Sequence, residues 1–321
     1  MIRAALLTAC GTAPTIAERP APVPATGELP ITVEAVPITP LDVLCATGTS
    51  YFGTPPTPYV PGVQGVGRLD DGTAVWFGTS AGMRPGVHGS MAATVAVPAA
   101  DVVTLPADVP LALLAALGLS AVAAHAALTH AGDLTVGEQV VVLGAGGVVG
   151  QAAVQLARLA GARRVIAVSR SAPARARAEE LGASVAVPLL PDDDVATLAD
   201  RLRDAADGPV DLVLDPVFGV PAAAALRVLR PGGRLVNLGS SAGAIAPIES
   251  ATLRSGSLRL IGYTNNALSG EQRAAALGVV AGHAAAGRLT VDHEIVPFTS
   301  VADAWARQAA GTAAGRIVLA F

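Results

Sequence analysis

The sequence predicts an α/β protein in which a doubly wound parallel sheet is inserted into a second, β-rich domain. Three observations carry this. From Val140 onward, continuous apolar strands alternate with helical segments, the pattern of a parallel sheet covered on both faces. Before that point the chain is short strands broken by proline and glycine, and the last residues, Arg316-Ile317-Val318-Leu319, return to strand-like text that rejoins the first domain. At 321 residues there is room for two domains, since domains run about 100–200 residues each. We place the first domain at 1–115, the inserted nucleotide-binding domain at 116–267, and the second part of the first domain at 268–321.

In the first third, Ala4–Leu7 and Ile31–Ala35 are strand candidates, and Gly53-Thr54-Pro55-Pro56-Thr57-Pro58 is an extended loop because proline fixes φ and donates no hydrogen bond. Val109–Leu128 carries no Asp, Glu or Arg. Its length suits a membrane span of about 20 residues. Its content of Pro110, Gly118, Ser120 and His125 instead points to a buried helix. Strands follow at 140–143, 165–168, 185–187, 211–215, 234–238 and 258–263. Helices lie at 148–160, 174–181, 195–206 and 221–229, with Asp194 as an N-cap, Pro221 in a first turn, and Gly161, Gly182 and Gly232 after helix ends. A further alanine-rich helix runs from Gly270 to Gly287.

Composition narrows the function. Hydrophobic residues are 52% and charged ones 14%, enough apolar surface for large cores. All 21 basic residues are arginine, scattered rather than clustered, and the net charge is −4, so nothing supports nucleic-acid binding. The missing lysine and the abundant alanine fit a GC-rich coding bias. Two cysteines, Cys10 and Cys45, form neither a disulfide framework nor a structural zinc set, and they suit a reducing cytoplasm. The N-terminus has no signal-peptide layout, and no membrane partner is expected.

The chemistry sits in Gly144-Ala145-Gly146-Gly147-Val148-Val149-Gly150, a G-x-G-G-x-x-G between strand and helix. Gly144 permits the tight turn, Gly146 lets the backbone approach a pyrophosphate, and Gly150 allows close helix–strand packing. Gly147 and Val148 open the helix, whose free N–H groups and positive dipole hold phosphates. The second strand ends Ser169-Arg170-Ser171, with Arg175 beyond and no carboxylate until Glu179. An NAD site places an acid there. An arginine fork flanked by hydroxyls suits a 2′-phosphate instead, so the cofactor expected is NADPH.

These motifs, together with Thr39-Pro40-Leu41-Asp42-Val43, Pro61–Gly67, Asp215-Pro216-Val217, Pro231-Gly232-Gly233-Arg234 and Gly315–Leu319, resemble the medium-chain dehydrogenase/reductase superfamily, in particular its zinc-free quinone oxidoreductase branch. The resemblance covers nearly the whole chain and implies a Rossmann domain inserted into a GroES-like β-barrel catalytic domain. Where zinc-dependent relatives carry a catalytic cysteine and a His-Glu pair, this chain has Thr39 and Val63-Gln64. Valine cannot ligate zinc, and His88, His125, His130, His283 and His293 show no ligand spacing, so no metal is expected.

The resemblance also points to Tyr51 as the donor to substrate oxygen, assigns Asp42 a structural hydrogen-bonding role, and adds Thr39 and Gly239 to the cofactor contacts. Phe218 replaces a small residue of the family pattern, His125 stands where tryptophan is common, and the lysine used by polyketide-type enoyl reductases is missing. The function expected is a zinc-independent, NADPH-dependent reductase transferring hydride to a quinone or an α,β-unsaturated carbonyl. The alternatives are a secondary-metabolite ketone, imine or enoyl reductase of the same fold, and a non-catalytic NADPH-binding protein. Pairing through the apolar last strand of the inserted sheet, Leu258–Tyr263, would give a homodimer.

Overall fold

The computed structural model describes all residues, Met1–Phe321. The chain divides into two compact units, one formed by Met1–Gly118 with Gly270–Phe321, the other by Leu119–Ser269.

In the first unit a seven-stranded sheet takes strands from both chain ends. Its order is His293–Pro297, Arg316–Ala320, Glu28–Pro37, Gln64–Arg68, Ala74–Gly78 and Val102–Thr104, with Thr94–Pro98 also paired to Glu28–Pro37. The tail strand runs antiparallel to Glu28–Pro37, Val318 opposite Pro37 and Ala320 opposite Ala35. Ile2–Leu6 and Thr15–Arg19 form a separate antiparallel pair. One apolar core joins Leu7, Ile31, Ile38 and Phe77 to Phe298, Trp305, Ile317 and Leu319. The return of the tail thus completes a core that the first strands cannot close alone.

The apolar segment at 109–128 forms the helix Leu111–Ala126, bent where Gly118 adopts φ 29° and ψ −129°, and continues as a wide turn over Ala127–Ala131. Residue 118 has no room for a side chain: a β-carbon there would fall on the Gln64 side-chain oxygen. Leu111–Ala131 is the one helix long and apolar enough to cross a membrane, and it is mostly buried inside the protein.

The second unit holds six parallel strands. In sheet order they are Val185–Pro188, Arg164–Ser169, Gln139–Leu143, Val210–Asp215, Leu229–Asn237 and Arg259–Gly262. Counted along the chain this is the order 3-2-1-4-5-6 of the dinucleotide-binding doubly wound fold. Val140–Leu143 and Val165–Val168 are fully buried, which explains their unbroken apolar text. The crossover helices are Val148–Leu159, Ala172–Glu180, Val195–Ala205 and Gly219–Leu226, and the Asp194 side chain caps the third through the N–H of Thr197 at 2.7 Å.

Two expectations for this region are corrected by the structure. The last crossover helix ends at Leu226, because Leu229 already pairs with Val210. Gly232 therefore follows no helix; it lies in a bulge of the fifth strand with φ 72°. Beyond that bulge the buried Arg234 donates to both oxygens of Glu138, to the carbonyls of Asp133 and Asp211, and to that of Gly132. Each buried charge there is paired and hydrogen-bonded, the condition under which burial is tolerated.

Candidate active site

The glycine loop joins the central strand to the helix Val148–Leu159. Gly144 takes φ 63°, and a β-carbon on it would meet the Val217 side chain at 2.7 Å. A β-carbon on Gly150 would fall on the Gly144 carbonyl oxygen and lie 2.6 Å from the Ala145 Cα, so the helix sits against the strand end only because residue 150 has no side chain. Gly147 is the N-cap, with extended backbone and no side-chain cap, and a β-carbon on it would meet only the Gly144 carbonyl oxygen at 3.6 Å, an ordinary contact. The N–H groups of Val148, Val149 and Gly150 open this helix with no carbonyl of a preceding turn to receive them. Gly146 is crowded from the side of the second strand. A β-carbon there would meet the Ala174 methyl at 2.9 Å and the Ser169 hydroxyl at 3.0 Å, so its bareness also lets the end of the second strand pack on the loop.

At that strand end Ser169 is buried and Arg170 is exposed. Ser171 caps the helix Ala172–Glu180 by accepting the N–H of Ala174 at 3.3 Å, which leaves its own hydroxyl proton to donate. Arg175 turns back: its guanidinium donates to the carbonyls of Arg170 (2.8 Å) and Ser169 (3.3 Å), bracing the turn. Acids further along the chain have other partners. Glu179 accepts the N–H of Ala186, Asp193 pairs with Arg201, and Asp194 caps a helix.

Facing the glycine loop is the turn after the fourth strand. Asp215 is buried, and one of its oxygens accepts the N–H groups of Val217 (3.0 Å) and Phe218 (2.7 Å). The other accepts the Asn237 amide at 2.9 Å, and that same amide donates to the Gly239 carbonyl at 2.8 Å. Burial pushes the Asp215 carboxyl above its ordinary range, opposed by these hydrogen bonds. A β-carbon on Gly239 would lie 2.5 Å from the Pro216 carbonyl oxygen, so this position packs the wall of the crevice. Phe218 has φ 58° and ψ −156°, a region that costs a non-glycine residue about 1–3 kcal/mol. Its ring, half-buried, packs against the core of its own unit. Crevices outside the carboxyl ends of the strands, where the strand order reverses, are where such sheets bind ligands.

The first unit holds the other candidates. Thr39 caps the helix Pro40–Thr47: its hydroxyl donates to Asp42 at 2.6 Å and its N–H to the same oxygen at 2.7 Å. The second Asp42 oxygen accepts the N–H of Val63 at 2.8 Å. Burial raises the Asp42 carboxyl, against the hydrogen bonds of Thr39 and Val63 and the charge of Arg316. Arg316 is itself held down to about 10 by burial and donates to the Ile38 carbonyl, 278 positions earlier. Thr39 and Asp42 are thus brought together as a buried capping box, and Thr39, expected to touch cofactor, has its hydroxyl turned inward. Cys45, on the same helix, has its thiol pushed up to about 11 by burial and holds its proton at neutral pH. No group of three or more His, Cys, Asp or Glu side chains is placed to hold a metal. Tyr51 is 78% exposed, its ring 4.2 Å from that of Phe52.

Two residues of these clusters are not singled out by the sequence. Asn237 carries no signal there, being one amide at a strand end. Arg316 lies inside a recognisable motif, but its partner is distant in the chain.

A family model described as a zinc-binding dehydrogenase matches residues 148–279. Over 287 residues, 81% of the chain, the protein is 29% identical to a phenolphthiocerol/phthiocerol polyketide synthase of Mycobacterium tuberculosis, of which 12% is covered. Over 229 residues, 69% of the chain, it is 31% identical to the human synaptic vesicle membrane protein VAT-1 homolog, of which 56% is covered. The chain therefore spans only part of the length of these curated relatives. The quinone oxidoreductase of Thermus thermophilus, solved alone and in complex with NADPH, is 28% identical with a TM-score of 0.84 over 99% of this chain and 100% of that one. These matches support a place in the medium-chain dehydrogenase/reductase superfamily, with likeness to its quinone oxidoreductases.

The loop geometry makes a testable distinction. Gly150→Ala must displace backbone and should lose about 1–3 kcal/mol of stability, the usual range for overpacking. Gly147→Ala meets only ordinary contacts and should lose under about 1 kcal/mol, the scale of a weakened cap. Urea unfolding of both variants measures this, and equal losses would contradict the packing described.

Proposed function

We propose that the chain is an NADPH-dependent reductase that transfers hydride to a quinone or an α,β-unsaturated carbonyl without a metal. The observation that carries this is the cofactor cradle: a helix start with open N–H groups, beside a second strand that ends in Ser169-Arg170-Ser171 rather than in an acid. The residues fit the dinucleotide. The backbone at Gly147 and Val148 receives the pyrophosphate, Arg170 and the Ser171 hydroxyl receive the 2′-phosphate, and Gly144, Gly146, Gly150 and Gly239 keep the walls clear. Arg175 contributes by holding the turn. When bound, the nicotinamide supplies the hydride. The NADPH complex of the Thermus thermophilus quinone oxidoreductase supports the same choice.

Hydride addition to an enone or quinone builds negative charge on oxygen, which a hydrogen-bond donor stabilises. Tyr51 is the donor we assign. Its exposed position means that water competes for the role, so its contribution is modest. A zinc ion has no place in this reading: Thr39 is committed to Asp42, and Val63 has no ligating atom. A second reading, reduction of a secondary-metabolite carbonyl, rests on the polyketide synthase match; the absence of lysine sets it apart from the lysine-dependent enoyl reductases.

The deciding experiment is oxidation of NADPH on adding 9,10-phenanthrenequinone or a simple enone, with and without EDTA. We expect turnover that EDTA does not touch and that prefers NADPH to NADH. Arg170→Ala should raise the NADPH Michaelis constant on the order of tenfold or more, the scale of one charge-assisted hydrogen bond, and leave NADH kinetics nearly unchanged. Equal use of NADH, or loss of activity with EDTA, overturns the assignment. Binding of NADPH without oxidation by any such acceptor would mark a non-catalytic binding protein instead.

Tyr51→Phe should keep NADPH affinity and lower turnover on enones by roughly tenfold, below the about 10²–10³ of a buried oxyanion donor. Unchanged turnover on both substrate classes would leave Tyr51 a packing residue.

We also propose a cytoplasmic homodimer. Arg259–Gly262 is the edge strand of the six-stranded sheet and is largely exposed, including Leu260, so a second copy can extend the sheet across it. Light scattering at micromolar concentration should give twice the chain mass; a monomer would refute the pairing.

A further inference from the structure

We propose that Phe218 is a positioning residue for the dinucleotide, a strained hinge pin that fixes the wall of the crevice opposite the glycine loop. The proposal rests on the cofactor reading above and extends it to a residue outside the phosphate cradle.

The backbone of Phe218 lies at φ 58° and ψ −156°, and the next residue, Gly219, is at φ 68°. A β-branched or aromatic residue does not hold such a conformation by local preference, since only glycine escapes the clash between Cβ and backbone. It is held from several sides. The Phe218 N–H is gripped by Asp215, the Asp215 carboxylate is gripped in turn by Asn237, and the N–H of Ala242 donates to the Val217 carbonyl at 2.8 Å. The ring packs against the apolar core of the unit, which ties the strained residue down.

What the turn supports lies across the crevice. The side chains of Val217 and Pro216 occupy the space beside Gly144, the first glycine of the loop. A shift of the turn is therefore transmitted to the loop that carries the phosphate-binding N–H groups. Glycine at 218 would satisfy the backbone while releasing the ring, leaving the turn several conformations. Alanine would keep the steric clash and lose the anchor. Phenylalanine supplies both strain and anchor, and so a single, preformed wall; preorganisation of this kind is returned as affinity.

The test compares Phe218→Gly and Phe218→Ala. The strain predicts an inverted order of stability: the glycine variant melts at a higher temperature than the alanine variant, although glycine ordinarily destabilises relative to alanine. NADPH titration, followed by its fluorescence, should show roughly tenfold weaker binding in both variants, while turnover at saturating cofactor stays within about twofold of wild type. An alanine variant that melts at or above the glycine variant overturns the strain. Wild-type NADPH affinity in the glycine variant overturns the positioning role alone. Failure of the wild type to bind any nicotinamide dinucleotide overturns the proposed function itself, and the positioning role with it.

Discussion

The structure of the second unit turns on one close approach, that of the helix Val148–Leu159 to the carbonyl of Gly144. Gly150 has no β-carbon, so the helix start rests directly on the end of the central strand, Gln139–Leu143. From this follow the open N–H groups at the carboxyl edge of the sheet, the tight turn at Gly144, and the space beside it that Val217 fills. The second strand closes in on the other side, where Gly146 admits Ala174 and Ser169. A dinucleotide site here is a consequence of backbone proximity before it is a matter of side chains. Arg170 stands exposed at the end of that second strand.

The first unit is organised around a different constraint, the burial of Asp42. Its two oxygens take the Thr39 hydroxyl, the Thr39 N–H and the Val63 N–H, with Arg316 supplying charge from the far end of the chain. Thr39 and Val63 stand where zinc-dependent relatives are expected to carry metal ligands. In this chain the same positions build a carboxylate-centred hydrogen-bond cluster. That cluster pins the helix Pro40–Thr47, and with it the Gly48–Pro58 segment that presents Tyr51. The arrangement is structural.

Much of this is legible in the sequence. Unbroken apolar strands, the glycine loop, the missing acid after Val168 and the strand-like tail each follow from local sequence with a physical reason attached. What stays hidden depends on long-range neighbours. The close approach of Gln64 to Gly118 joins residues 54 positions apart, and the bulge at Gly232 is set by where the fifth strand meets the fourth. Phe218 is the sharpest case, because its backbone contradicts its own propensity and is held there by Asp215, Asn237, Ala242 and the core.

In the proposed function the helix start at Val148 and the strand end at Arg170 together hold a 2′-phosphorylated dinucleotide. A crystal structure of the protein with NADPH tests this most directly. The expected result is pyrophosphate oxygens about 3 Å from the N–H groups at the start of the helix Val148–Leu159, and the 2′-phosphate on the Arg170 guanidinium. A 2′-phosphate turned away from Arg170, or a dinucleotide bound elsewhere on the chain, would contradict it.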